Sequence, residues 1–181
     1  ASALLPENTL PAFARALADG ANALELDLHR SADGHFVVAH DPDGRRTAGT
    51  PERIRELGLA RIKAWRLPHP TGAGEVPTLA EVLAAFPGVP MSIDLKPDAP
   101  EQVPALLELL ARHGAEATTT LASFSARVVG RIRRLGYPGP QPAEADATRR
   151  LGSATPSADI AVMQQLRADS SARDNCHLSP S

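Results

Sequence analysis

The chain has 181 residues, enough for one domain with a substantial core, and its formal charge of −2 gives no basic field for nucleic acid. Hydrophobic residues make up 43% of it and aromatic ones only 3%, so the core must be built from Ala, Leu, Val and Ile. The single cysteine, Cys176, excludes an internal disulfide and a cysteine-based zinc site, and no apolar run of about 18 residues offers a membrane span.

Ala1 to Leu5 has neither the charged nor the apolar region of a signal peptide and no starting Met, which suggests a cytoplasmic protein whose natural beginning lies elsewhere. Thr9 reads as the N-cap of a helix, with Leu10, Phe13, Ala14 and Leu17 at helical spacing and Asp19-Gly20 ending it. Ala23 to Leu28 reads as a buried strand that carries two carboxylates. Residues two apart on a strand share a face about 6.5 Å from one another. Glu25 and Asp27 therefore project side by side, while Leu24, Leu26 and Leu28 pack the other face. Like charges on a buried face repel and lose hydration unless they are neutralised. A divalent cation is the simplest neutraliser, and an all-oxygen site favours Mg²⁺ or Ca²⁺.

Ser31 to Gly34 is a turn, and His35 to Ala39 is a second extended run that delivers His40 beside those carboxylates. Asp43-Gly44 and Gly49-Thr50-Pro51 mark an irregular loop, with Pro51 to Leu57 as a short helix. Thr78 to Phe86 is a second helix, capped by Thr78 with Glu81 three residues on. Met91 to Lys96 is an apolar strand bearing Asp94, and Pro100 to Arg112 is an amphipathic helix ending at His113-Gly114. Thr119 to Phe124 is a strand and Ala126 to Leu135 a helix closed by Gly136. This alternation predicts an α/β protein with a parallel sheet over residues 1–138. Residues 139–181 read as a weakly ordered tail in which only Ile160 to Leu166 resembles an element.

Several of these pieces carry a family resemblance. Pro6-Glu7-Asn8-Thr9-Leu10-Pro11-Ala12-Phe13, Gly20, Glu25-Leu26-Asp27, Asp33-Gly34 and His40-Asp41 stand in the order found in the glycerophosphodiester phosphodiesterase family. Arg46-Thr47 with Gly49, Pro77-Thr78-Leu79, Ile93-Asp94-Leu95-Lys96 and Ser123-Phe124 continue the match. The resemblance implies a TIM-type (β/α) barrel with its site at the carboxyl ends of the strands. It implies Glu25, Asp27 and Asp94 as ligands of a divalent cation, with Asp94 standing where the family usually has Glu. It further implies His40 as an acid–base catalyst, Lys96 facing the phosphate, and Arg46 in substrate binding. The implied reaction splits a small glycerophosphodiester into glycerol 3-phosphate and an alcohol.

The chain resembles the first half of that family, so the expected barrel is incomplete. The family's opening His-Arg pair has no counterpart in Ala1 to Leu5, and its late barrel motifs have none after Pro138. Two other readings stay open at this point. One is an inactive truncated or frameshifted fragment, prone to self-association through exposed barrel edges. The other is a related barrel phospholipase or lyase acting on sphingo- or inositol phospholipids. Asp94 and Lys96 also fit a plain same-face ion pair, and Arg46 and Thr47 a plain turn. His29, His35, His69, His113 and His177 show no ligand spacing and read as solvent-exposed, Asn8 as structural, and Trp65 as a packing residue.

Overall fold

The structure is a computed structural model that describes residues 5–70 and 72–140. Helix α1 (Leu10–Ala18) opens as expected: Thr9 Oγ1 accepts the Ala12 amide at 3.4 Å and donates to the Pro6 carbonyl at 2.7 Å. The turn before it is set by Asn8, whose φ of 54° lies in the left-handed region that Asn tolerates better than most residues. Strand β1 (Leu24–Arg30) follows and runs two residues beyond the expected end. Strand β2 (Phe36–Val38) comes next, then a short helix α2 (Arg45–Ala48), a 3₁₀ turn at Ile54–Glu56 and helix α3 (Leu59–Lys63). A small hairpin of β3 (Leu67–His69) and β4 (Gly72–Gly74) precedes helix α4 (Leu79–Ala85). Strand β5 (Met91–Leu95), helix α5 (Val103–Arg112), strand β6 (Thr119–Ala122) and helix α6 (Ala126–Arg134) complete the described chain.

The main sheet has the order β2-β1-β5-β6. Strands β1, β5 and β6 are parallel, with Asp27 opposite Asp94 and Leu26 opposite Ile93, while Ile93 also faces Leu121. Strand β2 departs from the expected all-parallel sheet and runs antiparallel to β1. The connection 31–35 is too short to carry a parallel crossover, so the chain can only turn back on itself. The strands form an open sheet among the described residues, not a closed barrel.

Register divides the sheet into two faces. Leu24, Leu26 and Leu28 pair with Met91, Ile93 and Leu95 and point to one side, where the apolar stripes of α4, α5 and α6 cover them. Leu26 and Ile93 are fully buried there, each worth about 1.5–3 kcal/mol relative to exposure. Glu25, Asp27 and Asp94 alternate to the other face, as the strand period requires. A second apolar cluster of Val37, Ile54, Ile62, Trp65, Leu67 and Val76 sits under the 43–65 loop. Trp65 is buried in it and donates Nε1–H to Glu52 Oε2 at 3.2 Å, which bears out its reading as a packing residue.

Other differences have local causes. The helix expected over Pro51 to Leu57 shrinks to one 3₁₀ turn, because Arg53 is extended and bridged to Asp43 while the Ile54 amide bonds Pro42 O. The helix expected from Pro100 starts as a 3₁₀ turn over Pro100–Gln102 before α5 proper. The Thr119 to Phe124 strand stops at Ala122, where Ser123 Oγ instead donates to Leu95 O at 2.8 Å. From residue 141 on, the expected tail, with Ile160 to Leu166, Cys176 and His177, lies outside the described residues. No helix among the described residues is long and apolar enough to cross a membrane.

Candidate active site

The carboxyl ends of β1 and β5 bring Asp27 and Asp94 face to face across one rung of the parallel ladder. Lys96, the first residue after β5, extends that ladder by donating its amide to Leu28 O at 3.2 Å. Its Nζ then falls between the two carboxylates, 2.9 Å from Asp27 Oδ1 and 2.8 Å from Asp94 Oδ2. Burial pushes the ammonium's pKa down, but the hydrogen bonds and charges of Asp94 and Asp27 outweigh it and hold it above the ordinary value. The other oxygen of Asp94, Oδ1, is buried with no hydrogen-bond partner among the described residues. The ring of Phe124, 95% exposed, sits 5.9 Å from the same ammonium.

His40 follows β2, whose backbone is tied to β1 by the Ala39 amide bonding Asp27 O at 2.9 Å. The imidazole Nδ1 stands 2.7 Å from Asp41 Oδ1, and Asp41 Oδ2 accepts from Arg46 Nε at 2.7 Å. The remaining Arg46 nitrogens grip Glu7 in a two-pronged pair at 2.8 and 2.6 Å. Burial raises the Asp41 carboxyl, yet the bonds and charge from Arg46 and His40 prevail and hold it below the ordinary carboxylate value. An ionised carboxylate can only accept, so Nδ1 carries the proton and Nε2 is the nitrogen open to a substrate. His40 and Lys96 both line one open cleft of about 620 Å³.

The residues singled out from the sequence therefore do not form one cluster. Asp27, Asp94 and Lys96 converge, and His40 faces the same cleft from the β2 side. Glu25 is half-buried on the same face one step down β1, opposite Ser92. Arg46 is held by Glu7 and Asp41, so its guanidinium acts on the support of His40. Glu7, Asp41 and His29 were not expected to matter. Glu7 lies inside the Pro6-Glu7-Asn8-Thr9 run and Asp41 directly follows His40, which were the available signals. His29 is half-buried and not solvent-exposed as expected, with Nε2 3.2 Å from the His40 carbonyl oxygen, and burial above all lowers its pKa.

The donor set suits a hard divalent cation in its chemistry. It offers paired carboxylate oxygens, one of them buried without a partner, on adjacent strands. It is not a ready-made cage: among the described residues no group of three His, Cys, Asp or Glu side chains is gathered closely enough to hold a metal ion. The Lys96 ammonium supplies the positive charge between the two carboxylates.

Known proteins share this arrangement of chain and strands. Residues 1–175 match the family model described as "Glycerophosphoryl diester phosphodiesterase family". Lysophospholipase D GDPD1 of Homo sapiens is 31% identical over 133 residues, which cover 68% of this chain and 42% of that protein. A probable glycerophosphodiester phosphodiesterase 1 of Mycobacterium tuberculosis (strain ATCC 25618 / H37Rv) is 31% identical over 157 residues, covering 74% of this chain and 57% of its own length. The chain thus spans about half the length of these relatives. The crystal structure of glycerophosphodiester phosphodiesterase from Agrobacterium tumefaciens str. C58 superposes with a TM-score of 0.67 at 28% identity, over 76% of this chain and 60% of that one. Such neighbours are TIM-barrel enzymes, and the described sheet corresponds to an open part of that architecture. With the family's pattern running through residues 1–175, the chain belongs to the glycerophosphoryl diester phosphodiesterase family, whose named members are phosphoric diester hydrolases.

Proposed function

We propose that this chain supports metal-dependent hydrolysis of glycerophosphodiesters to glycerol 3-phosphate and an alcohol. One observation carries the reading: a single cleft at the carboxyl ends of the strands is faced both by an imidazole fixed by Asp41 and by an ammonium fixed by Asp27 and Asp94. A phosphodiester's alkoxide is a poor leaving group unless it is protonated as it departs. In its doubly protonated form His40 delivers that proton from Nε2 and is left as the neutral ring with its remaining proton on Nδ1, held by Asp41. Lys96 has three N–H donors, of which two point at Asp27 and Asp94, leaving one for a phosphoryl oxygen. Asp27 and Asp94, joined by Glu25, would hold Mg²⁺ or Ca²⁺, which when bound supplies Lewis-acid polarisation of the phosphoryl group. Arg46 contributes from behind, through Asp41.

The test is glycerol 3-phosphate release from glycerophosphocholine and glycerophosphoinositol by chelator-treated protein, with and without added Mg²⁺ or Ca²⁺. Activity should need the metal and should fall about 10²–10⁴-fold in His40→Ala. Calorimetric titration of the metal should show binding lost in Glu25→Ala and in Asp27→Ala. Hydrolysis that persists in full without metal, or that is indifferent to His40→Ala, overturns the reading.

A further inference from the structure

The cleft that joins His40 to Lys96 runs on past them, between the segment around Arg53 and Arg55 and the segment 97–102 that follows β5. Its volume of about 620 Å³ falls in the range of small-molecule sites, about 300–1,000 Å³. Arg30, Arg53 and Arg55 line this extension together with Lys96, against one carboxylate, Asp98. Asp98 is already engaged, by the Ser125 hydroxyl and by Arg127 at 3.2 Å.

Among the described residues these three arginines lack the short carboxylate pairing that holds Arg15, Arg46 and Arg61. Arg15 meets Asp19 at 2.8 Å, Arg61 meets Glu52 at 2.9 Å, and Arg46 is gripped by Glu7. Arg53, by contrast, has no ion pair among the described residues, although its backbone is pinned by the bridge to Asp43. Among the described residues Arg55 pairs only with the adjacent Glu56 at 3.4 Å, with both side chains largely in solvent. Arg30 is held at the wall by its bond to Gly34 O at 3.1 Å and lies over the Phe36 ring at 5.5 Å, with no ion pair among the described residues. The scissile phosphodiester carries a single negative charge, which Lys96 already faces. Three guanidiniums beyond it are in excess of what that group requires, and planar guanidiniums match phosphate and carboxylate oxygens in pairs.

We propose that Arg30, Arg53 and Arg55 form a head-group subsite that selects glycerophosphodiesters whose alcohol carries a second anionic group, a phosphomonoester or a carboxylate. The inference rests on the hydrolase reading for its catalytic half and on the cleft alone for its binding half. Cationic head groups such as choline are disfavoured by the same field.

The experiment compares kcat/KM for glycerophosphoinositol 4-phosphate, glycerophosphoserine and glycerophosphocholine in the wild type and in the double variant Arg53→Gln/Arg55→Gln. The wild type should prefer the first, and the ratio of the first to the last should drop about tenfold in the double variant. Comparing the phosphate and carboxylate substrates decides which anion the subsite takes. The preference should also shrink between about 0.01 M and 1 M salt, as the screening length falls from about 30 to about 3 Å. Calorimetric titration with inositol 4-phosphate supplies the readout that needs no turnover: its Kd should weaken about tenfold in the double variant while circular dichroism stays unchanged. If none of the substrates is hydrolysed, the hydrolase reading fails and the titration still decides the subsite. Equal kcat/KM for all three substrates, or inositol 4-phosphate binding indifferent to the double substitution, overturns the proposal.

Discussion

His40 Nδ1 stands 2.7 Å from Asp41 Oδ1, and this carboxylate is itself clamped by Arg46 from the other side. The contact fixes both the tautomer and the orientation of the ring. Asp41→Asn keeps the shape but can present an N–H to Nδ1, which would leave the neutral ring's proton on Nε2, the nitrogen that has to give its proton up. We expect kcat to fall about 10–100-fold, the usual cost of losing an orienting partner, with KM little changed and the pH profile displaced. Steady-state kinetics across pH check this. A variant altered in KM alone would show that Asp41 touches substrate and does not position His40.

The same clamp makes a stability prediction with a definite sign. Asp41's folded pKa is depressed below its ordinary 3.8. Its contribution is therefore fully present above that value and is lost as pH falls through the folded pKa. Arg46→Gln removes the main support for the ionised form. The stability gap between wild type and variant should be about 0.5–1 kcal/mol near neutrality, modest because Arg46 is half in solvent. It should close as pH drops well below 4, and urea unfolding at a series of pH values measures it.

Lys96 between Asp27 and Asp94 predicts competition between an internal cation and an external one. Lys96→Met leaves two buried carboxylates facing each other without a counter-charge. Removing one partner of such a buried arrangement costs about 3 kcal/mol. The variant should therefore melt lower than wild type without metal, yet bind Mg²⁺ or Ca²⁺ more tightly and gain more in Tm from it. Thermal melts at matched ionic strength and calorimetric titration decide the matter. An equal metal-induced gain in both proteins would mean that Lys96 does not stand in for the ion.

The local parts of this arrangement were legible in the sequence because they follow short-range rules. The period-two alternation of Leu24 to Leu28 assigned Leu and carboxylate to opposite faces, and the structure keeps that division. Thr78 and Glu81 form the capping box that their spacing announced. The non-local parts were not legible. The Arg46–Glu7 pair joins residues 39 positions apart. The insertion of Lys96 between Asp27 and Asp94 depends on the register of β1 against β5, which no local pattern fixes. The β3–β4 hairpin escaped notice because Leu67-Pro68-His69 and Gly72-Ala73-Gly74 have neither alternation nor β-branched residues to mark them. The antiparallel β2 followed from the length of a turn, while the alternation of elements pointed the other way.

Tyr137 gives a sharp check on the packing of the β6 edge, because it is the only tyrosine in the chain. Its side chain is 7% exposed, and its hydroxyl lies 2.7 Å from Thr119 O and 3.2 Å from Glu116 O, fastening the end of α6 to the start of β6. Burial, with the Glu116 charge adding to it, pushes the phenol up to about 12 from an ordinary 10.0. The folded state therefore keeps a proton that the unfolded chain releases first. The linked stability is complete below pH 10 and is lost as pH rises through about 12. Tyrosinate absorbance should titrate near 12 in the native protein and near 10 in urea, with no second tyrosine to confuse the signal. Tyr137→Phe should abolish the signal, flatten stability between pH 10 and 12, and cost about 1 kcal/mol at neutral pH for the lost hydrogen bond. A native midpoint at 10 would mean that the phenol is in water and that α6 is not fastened to β6 in the way described.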